Sequence, residues 1–238
     1  QAAAGDTVAC EYKFGKRGKI MIKAVLFDFD GTLMDTQKAI EETWKHIFKE
    51  IRNIDVDEET LKSSYGEPLR TSLEKFFPDI PLDEAVKIFK GYQKDMDEEM
   101  FKLFDGMEET VKGLQKRDVK MALVTSRGAK SSDRGLSLNG IRDAFEILIT
   151  ADKTTEHKPN PLPVLLALEE LGVTKSEAIM VGDTQFDLIA ARRAGVKSVL
   201  VSWAEINDEN LAKKEYAPDY IIDRGMEILD IIDGNYGK

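Results

Sequence analysis

The sequence predicts an α/β fold: a parallel sheet with helices on both faces, interrupted after its first strand by an all-helical insert. Three observations carry this expectation. Short apolar runs recur along the chain, separated by helix-like segments, which is the pattern of βαβ units. The stretch 37–100 breaks that rhythm, with helical spacing and no strand-like run. At 238 residues the chain is long enough for a core that carries a smaller second unit.

Residues 1–20 are small, polar and glycine-containing, without sustained periodicity, and read as a leader or extension of non-native type. Met21 is the plausible natural start. The first structural signal is Ile22–Phe27 (IKAVLF), a nearly continuous apolar run that stops at Asp28-Phe29-Asp30-Gly31-Thr32, as a buried parallel strand entering a polar loop does. Residues 21–36 and 101–238 are assigned to the α/β core, and 37–100 to the insert. Within the insert, Ile40, Trp44, Ile47, Phe48 and Ile51 fall near helical spacing, and Tyr65-Gly66-Glu67-Pro68-Leu69 is a turn signal. Further strands are expected at Val119–Val124, Glu146–Ile149, Ala178–Val181 and Lys197–Val201. Helices are expected at Met107–Arg117, at Pro161–Leu171 with prolines near its start, and at Phe186–Ala194 closed by Gly195.

Hydrophobic residues make up 42% and charged residues 33%, ordinary for a globular chain and unlike a disordered one. The balance of 34 basic against 44 acidic residues, a net charge of −10, argues against nucleic-acid and anionic-membrane partners. It leaves room for a small anionic substrate, because a metal and a few local cations can invert the field inside one cleft. The single cysteine, Cys10, rules out an intramolecular disulfide and suits a reducing compartment. No apolar run reaches the roughly 18 residues of a membrane span, and 1–20 has no apolar signal core, so a cytoplasmic protein is expected, as monomer or homodimer.

Chemistry gathers at the strand ends. Asp28 and Asp30 are two residues apart after a buried strand, and Gly31 lets the chain turn sharply. Clustered carboxylates repel unless a cation joins them, and hard oxygen ligands favour Mg2+. The run ending at Val124 is followed by Thr125-Ser126-Arg127-Gly128, the run ending at Val181 by Gly182-Asp183-Thr184-Gln185-Phe186-Asp187, and His157-Lys158-Pro159-Asn160-Pro161 precedes a helix. The strand ends of a parallel sheet lie at one edge, so these clusters should converge into a magnesium and phosphate site.

Taken together these segments resemble the haloacid dehalogenase superfamily. Its first motif, Asp-x-Asp-x-Thr, is matched by Asp28, Asp30 and Thr32. Its second, a Thr or Ser ending the next core strand, is matched by Thr125, its third by Lys158-Pro159, and its fourth by Gly182-Asp183 with Asp187. Order and spacing agree from about residue 22 to 232. The resemblance implies a Rossmann-like parallel-sheet core with a helical cap, and an Mg2+-dependent phosphatase that forms an aspartyl-phosphate. Asp28 is implied as nucleophile, and Asp30 as general acid and then base. The metal is implied at Asp28, the Asp30 carbonyl and Asp183, with Asp187 ordering water on it. Thr125, Ser126 and Lys158 are implied to hold the phosphoryl group, with Arg127 among the substrate contacts and Thr32 positioning the Asp30 loop. Within the superfamily the chain looks most like phosphoglycolate phosphatases and related bacterial pyrophosphatases, on DFDGTLMDT, GEPL, HKPNP and VGDTQFDLIAARRAG.

An acid at position 30 argues against dehalogenases and phosphonoacetaldehyde hydrolases. Gly182 before Asp183, in place of glutamate, argues against a beta-phosphoglucomutase. The expected substrate is a small phosphorylated metabolite of the phosphoglycolate type, with pyrophosphate and a mutase-like phosphotransfer as alternatives. Arg70, after the Gly66 turn, is the cap residue for a substrate carboxylate or second phosphate; a solvated helix-face arginine is the commoner outcome. His46 reads as a helix-face residue and Trp44, Phe76 and Phe77 as cap core. A receiver domain also phosphorylates an aspartate, but it is about half this length and lacks a cap. A non-catalytic binding relative is the other class; the intact motifs do not suggest it.

Overall fold

The computed structural model describes residues 21–94, 101–204 and 216–237. The expected leader 1–20, with Cys10, lies outside the described residues, as does the end of the insert at 95–100. The strands are β1 (Ala24–Phe27), β2 (Met34–Asp35), β3 (Lys102–Leu103), β4 (Lys120–Val124), β5 (Ile147–Ile149), β6 (Ala178–Gly182), β7 (Lys197–Val201) and β8 (Tyr220–Ile222). The helices are α1 (Gln37–Arg52), α2 (Glu58–Lys62), α3 (Leu69–Phe76), α4 (Leu82–Lys94), α5 (Met107–Gln115), α6 (Ala129–Leu138), α7 (Leu162–Leu171), α8 (Gln185–Ala194) and α9 (Glu227–Asp233).

Six strands form one sheet in the order β5-β4-β1-β6-β7-β8, every neighbouring pair parallel. All four residues of β1 are fully buried. Its side chains alternate between two cores, as the two-residue period of a strand requires. Val25 and Phe27 pack with Val111, Leu114, Leu136 and Ile228 of α5, α6 and α9. Ala24 and Leu26 pack with Val164, Leu168, Ala190 and Ala191 of α7 and α8 on the opposite face. The α/β fold expected from sequence is therefore present, with each helix-bearing face supplied by one parity of strand residues.

Register sets the site. Phe27 lies opposite Leu123 on one side and Val181 on the other, so the loops after β1, β4 and β6 leave the sheet at one level. The chain adds β4 and β5 on one side of β1 and then crosses to place β6 on the other. The crevice at such a reversal is where ligands bind in open α/β sheets.

Between β2 and β3 lie α1–α4, which pack around their own core of Trp44, Ile47, Phe48, Leu61, Leu73, Phe77 and Phe89. Trp44, Phe48, Phe76, Phe77 and Phe89 form a web of tilted and edge-to-face contacts. The helix expected from Ile40, Trp44, Ile47, Phe48 and Ile51 is α1. It ends at Asn53, which turns into the left-handed region and donates its amide to Lys49. The antiparallel pair β2–β3 joins the insert to the sheet domain. Among the described residues no helix is long and apolar enough to cross a membrane.

Phe77 is 1% exposed at the centre of the insert's core. Phe77→Ala is expected to cost about 3–5 kcal/mol of stability in denaturant titrations. A loss under about 1 kcal/mol would show that this cluster is not close-packed.

Candidate active site

Asp28 follows β1 directly, and its amide donates to the carbonyl of Val181 at 2.9 Å, tying the β1 loop to β6. Asp183 follows β6, and Asp187 lies in the first turn of α8. Carboxylate oxygens of Asp28, Asp183 and Asp187 lie within 4.8 Å of one another, all three residues buried. Lys158, 5% exposed, reaches in from the connection before α7 and places Nζ 2.8 Å from Asp28 Oδ1 and 2.6 Å from Asp187 Oδ1.

Two glycines make this crowding possible. Gly31 has φ +74°, and a Cβ there would stand 2.3 Å from Asp183 Oδ2. A Cβ at Gly182 would stand 2.3 Å from both Cβ and Cγ of Asp187. Asp187 is further fixed as it starts the helix: the Thr184 amide and hydroxyl both donate to its Oδ2, at 3.1 and 2.8 Å. Thr32 donates to Asp183 Oδ1 at 3.2 Å, so it steadies a carboxylate of the cluster.

Three buried carboxylates face one ammonium. Burial pushes the Asp28 carboxyl up to about 7; Lys158 pulls against that rise, and Asp187 and Asp30 add to it. Asp183 is raised well above the ordinary carboxylate value by burial, then by Asp187 and Asp28. Burial alone would lower Lys158, but Asp187 and Asp28 outweigh it and hold its pKa above the ordinary lysine value. A surplus of buried negative charge among hard oxygen donors is the environment that a small divalent cation satisfies, so the residues present fit a metal of that kind.

Asp30 stands apart from this cluster. Its Oδ1 accepts from Thr36 Oγ1, and Arg127 grips the same carboxylate: Nε lies 2.9 Å from Oδ2 and Nη2 lies 2.6 Å from Oδ1. Arg127, expected among the substrate contacts, has its guanidinium engaged with Asp30 and, through Nη1 at 2.6 Å, with Ser131. Thr125, at the end of β4, is buried beside β1, and its Oγ1 accepts from the Arg127 amide at 3.1 Å, so its own hydroxyl proton is left to donate. Ser126 Oγ donates to the carbonyl of Gly66 at 3.2 Å, so the insert's turn rests on the core loop. Among the described residues, no hydrogen bond or ion pair ties Arg70 to the site. Its Nη2 lies 2.8 Å from Asp83 in an exposed ion pair within the insert, the helix-face alternative. Sequence reasoning missed the Thr36 and Ser131 contacts; the Thr184–Asp187 pair carried a readable signal, the Thr-x-x-acid spacing of a capped helix start.

A strand-end aspartate, a lysine and an acidic pair at one edge of a parallel sheet make up a site of a recognisable class. The family described as haloacid dehalogenase-like hydrolase matches residues 25–201. A Clostridium perfringens protein named "Putative pyrophosphatase PpaX" is 36% identical over 213 residues, covering 90% of this chain and 98% of that one. Among solved structures, a haloacid dehalogenase-like family hydrolase from Streptococcus pneumoniae is 25% identical with a TM-score of 0.75, covering 88% of this chain and 98% of that one. One from Haemophilus somnus, described as a "predicted phosphoglycolate phosphatase", is 23% identical with a TM-score of 0.74, covering 90% and 99%; at that identity the likeness shows the fold alone. The chain belongs to the haloacid dehalogenase-like hydrolases. Within them it is an enzyme of the phosphatase type.

A carboxyl that holds its proton more tightly in the folded chain favours folding while protonated. For Asp28 that contribution is complete below the ordinary value of 3.8 and is lost as pH climbs through about 7. In a chelator, the melting temperature is therefore expected to fall between about pH 5 and pH 7. A hard divalent cation should raise it more at the upper end than at the lower, because cation displaces proton. A melting temperature in chelator that rises across that window would contradict the buried carboxylate surplus.

Proposed function

We propose that this chain is an Mg2+-dependent phosphohydrolase acting on a small phosphorylated metabolite through an aspartyl-phosphate. The observation that carries the reading is the pair Asp28 and Asp30, two residues apart in sequence and held in different surroundings. Asp28 lies in the buried carboxylate–lysine cluster, and Asp30 lies outside it with Arg127 and Thr36.

In the first step an Asp28 carboxylate oxygen bonds to phosphorus as the bond from phosphorus to the leaving oxygen breaks, and Asp30 supplies the proton that oxygen needs. In the second, Asp30 takes a proton from water. The water oxygen bonds to phosphorus and the bond to Asp28 breaks, releasing inorganic phosphate. Thr125 Oγ1 and the Ser126 amide are the donors for phosphoryl oxygens, and Lys158 offsets charge on Asp28 and on the transferring group. Mg2+ held by Asp28, Asp183 and the Asp30 carbonyl, with Asp187 beside them, would offset the repulsion between an anionic nucleophile and an anionic substrate.

For the substrate we place pyrophosphate first and a phosphoglycolate-like monoester second. The relative at 36% identity is named a pyrophosphatase, which supports the first. Arg70, expected to meet a substrate carboxylate or a second phosphate, is paired with Asp83 and so favours neither substrate over the other. The DFDGTLMDT and GEPL segments suit both readings, so the second is kept beside the first.

The test is phosphate release with and without Mg2+ on pyrophosphate, phosphoglycolate, glucose phosphates and nucleoside monophosphates. Pyrophosphate is expected to lead and EDTA to abolish release. Asp28→Asn should lower kcat by at least about a thousandfold. Unchanged turnover in Asp28→Asn would sink the assigned nucleophile, and phosphoglycolate standing above pyrophosphate would reverse the substrate order.

A further inference from the structure

Arg127 is a cation built into the structure, and its surroundings say what it does. Its side chain is 9% exposed. The guanidinium lies over Phe29 on one side, at 5.2 Å, and over Phe101 on another, at 5.5 Å. Nη1 is anchored on Ser131 of α6, and Nε and Nη2 fork onto both oxygens of Asp30. A planar fork packed against two neighbouring aromatic rings and bonded to a hydroxyl has few other rotamers open to it, so the carboxylate it grips is held in place too.

The partners tie this clamp to the insert. Thr36, which donates to Asp30 from the other side, lies between β2 and α1, where the chain enters the insert. Phe101 immediately precedes β3, where the chain returns. Asp30 itself bridges to Met34 of β2. Every group that fixes the Asp30 carboxylate is thus on, or packed against, one of the two strands that join the insert to the core, or on the loop and helix after β4.

We infer that Arg127 is a positioning residue for the reaction proposed above: it aims the Asp30 carboxylate at the leaving oxygen and links that aim to the two connecting strands. The inference rests on the phosphohydrolase reading and on Asp30 as its acid. It differs from a substrate contact in what it predicts. A residue that aims the acid matters in proportion to how badly the leaving oxygen needs a proton. A residue that binds the phosphoryl group, or only supports the loop, matters equally for every leaving group.

The test is the dependence of kcat/KM on leaving-group basicity across aryl phosphates from p-nitrophenyl to phenyl to p-methoxyphenyl, in Mg2+. This parameter reports steps up to release of the phenol, which isolates the acid's step from the later attack of water. Arg127→Ala is expected to steepen the dependence, shifting the p-nitrophenyl to phenyl ratio by at least about tenfold. Asp30→Asn should steepen it as much or more, and the double variant no further than Asp30→Asn alone. Arg127→Lys keeps the charge and loses the fork; it should fall between wild type and alanine, and it carries the test should the alanine variant not fold. Equal losses on all three esters, or a further steepening in the double variant, would overturn the positioning role while leaving the phosphohydrolase reading intact. Wild-type protein that hydrolyses none of these esters, nor pyrophosphate, would overturn both.

Discussion

Lys158 Nζ lies between Asp28 and Asp187, and around that ammonium three carboxylates are buried together. Buried like charges at this separation are unfavourable by several kcal/mol in any medium less polarisable than water. The local structure answers that penalty step by step. A lysine is brought from a separate connection, Thr184 caps Asp187 with two donors, Thr32 donates to Asp183, and two glycines remove the side-chain atoms that would otherwise hold the carboxylates apart. None of these features improves the packing of the sheet. They are intelligible as a cluster of carboxyl groups that a divalent cation would satisfy.

The sheet supplies what the loops alone could not. Parallel pairing with Phe27 opposite Leu123 and Val181 brings three loop starts to one level, and burial of β1 on both faces fixes that register against slippage. A one-residue shift would send Val25 and Phe27 into the opposite core and move Asp28 out of reach of Lys158. Core packing therefore sets the position of Asp28, although the residues that do the packing have no chemistry of their own.

Much of this was readable from the chain. Five of the six sheet strands stand out as apolar runs, and the acidic and hydroxyl residues follow three of them directly. The convergence of Asp28, Thr125, Lys158, Asp183 and Asp187 follows once the sheet is taken as parallel. The ribbon β2–β3 was not readable, because two residues carry no periodicity, and the edge strand β8 is a short Tyr-Ile-Ile run closed in by Asp219 and Asp223. Helix α6 was also missed. Its buried residues include Ser132 and Gly135, so it packs through small side chains and leaves little apolar stripe. The partner of Arg127 was out of reach for a different reason. Asp30 lies 97 residues away, and an arginine after a strand fits phosphate binding as well as carboxylate binding. Charge and position name a cation; only the fold says which anion it holds.

The same limit governs the insert. Its exposed and half-exposed cations are largely paired within it: Arg70 with Asp83, Arg52 with Asp79, Lys49 with Asp55, and Lys75 with Glu67. Such surface pairs contribute little to stability, but they withdraw positive charge from any role as a standing anion receptor. The insert meets the loop after β4 through backbone, from the Gly66 carbonyl to Ser126 Oγ. A backbone acceptor constrains the loop's position without selecting the charge of what lies beneath it. The insert also meets the core at its two connecting strands, where Thr36 and Phe101 contact the Arg127–Asp30 pair.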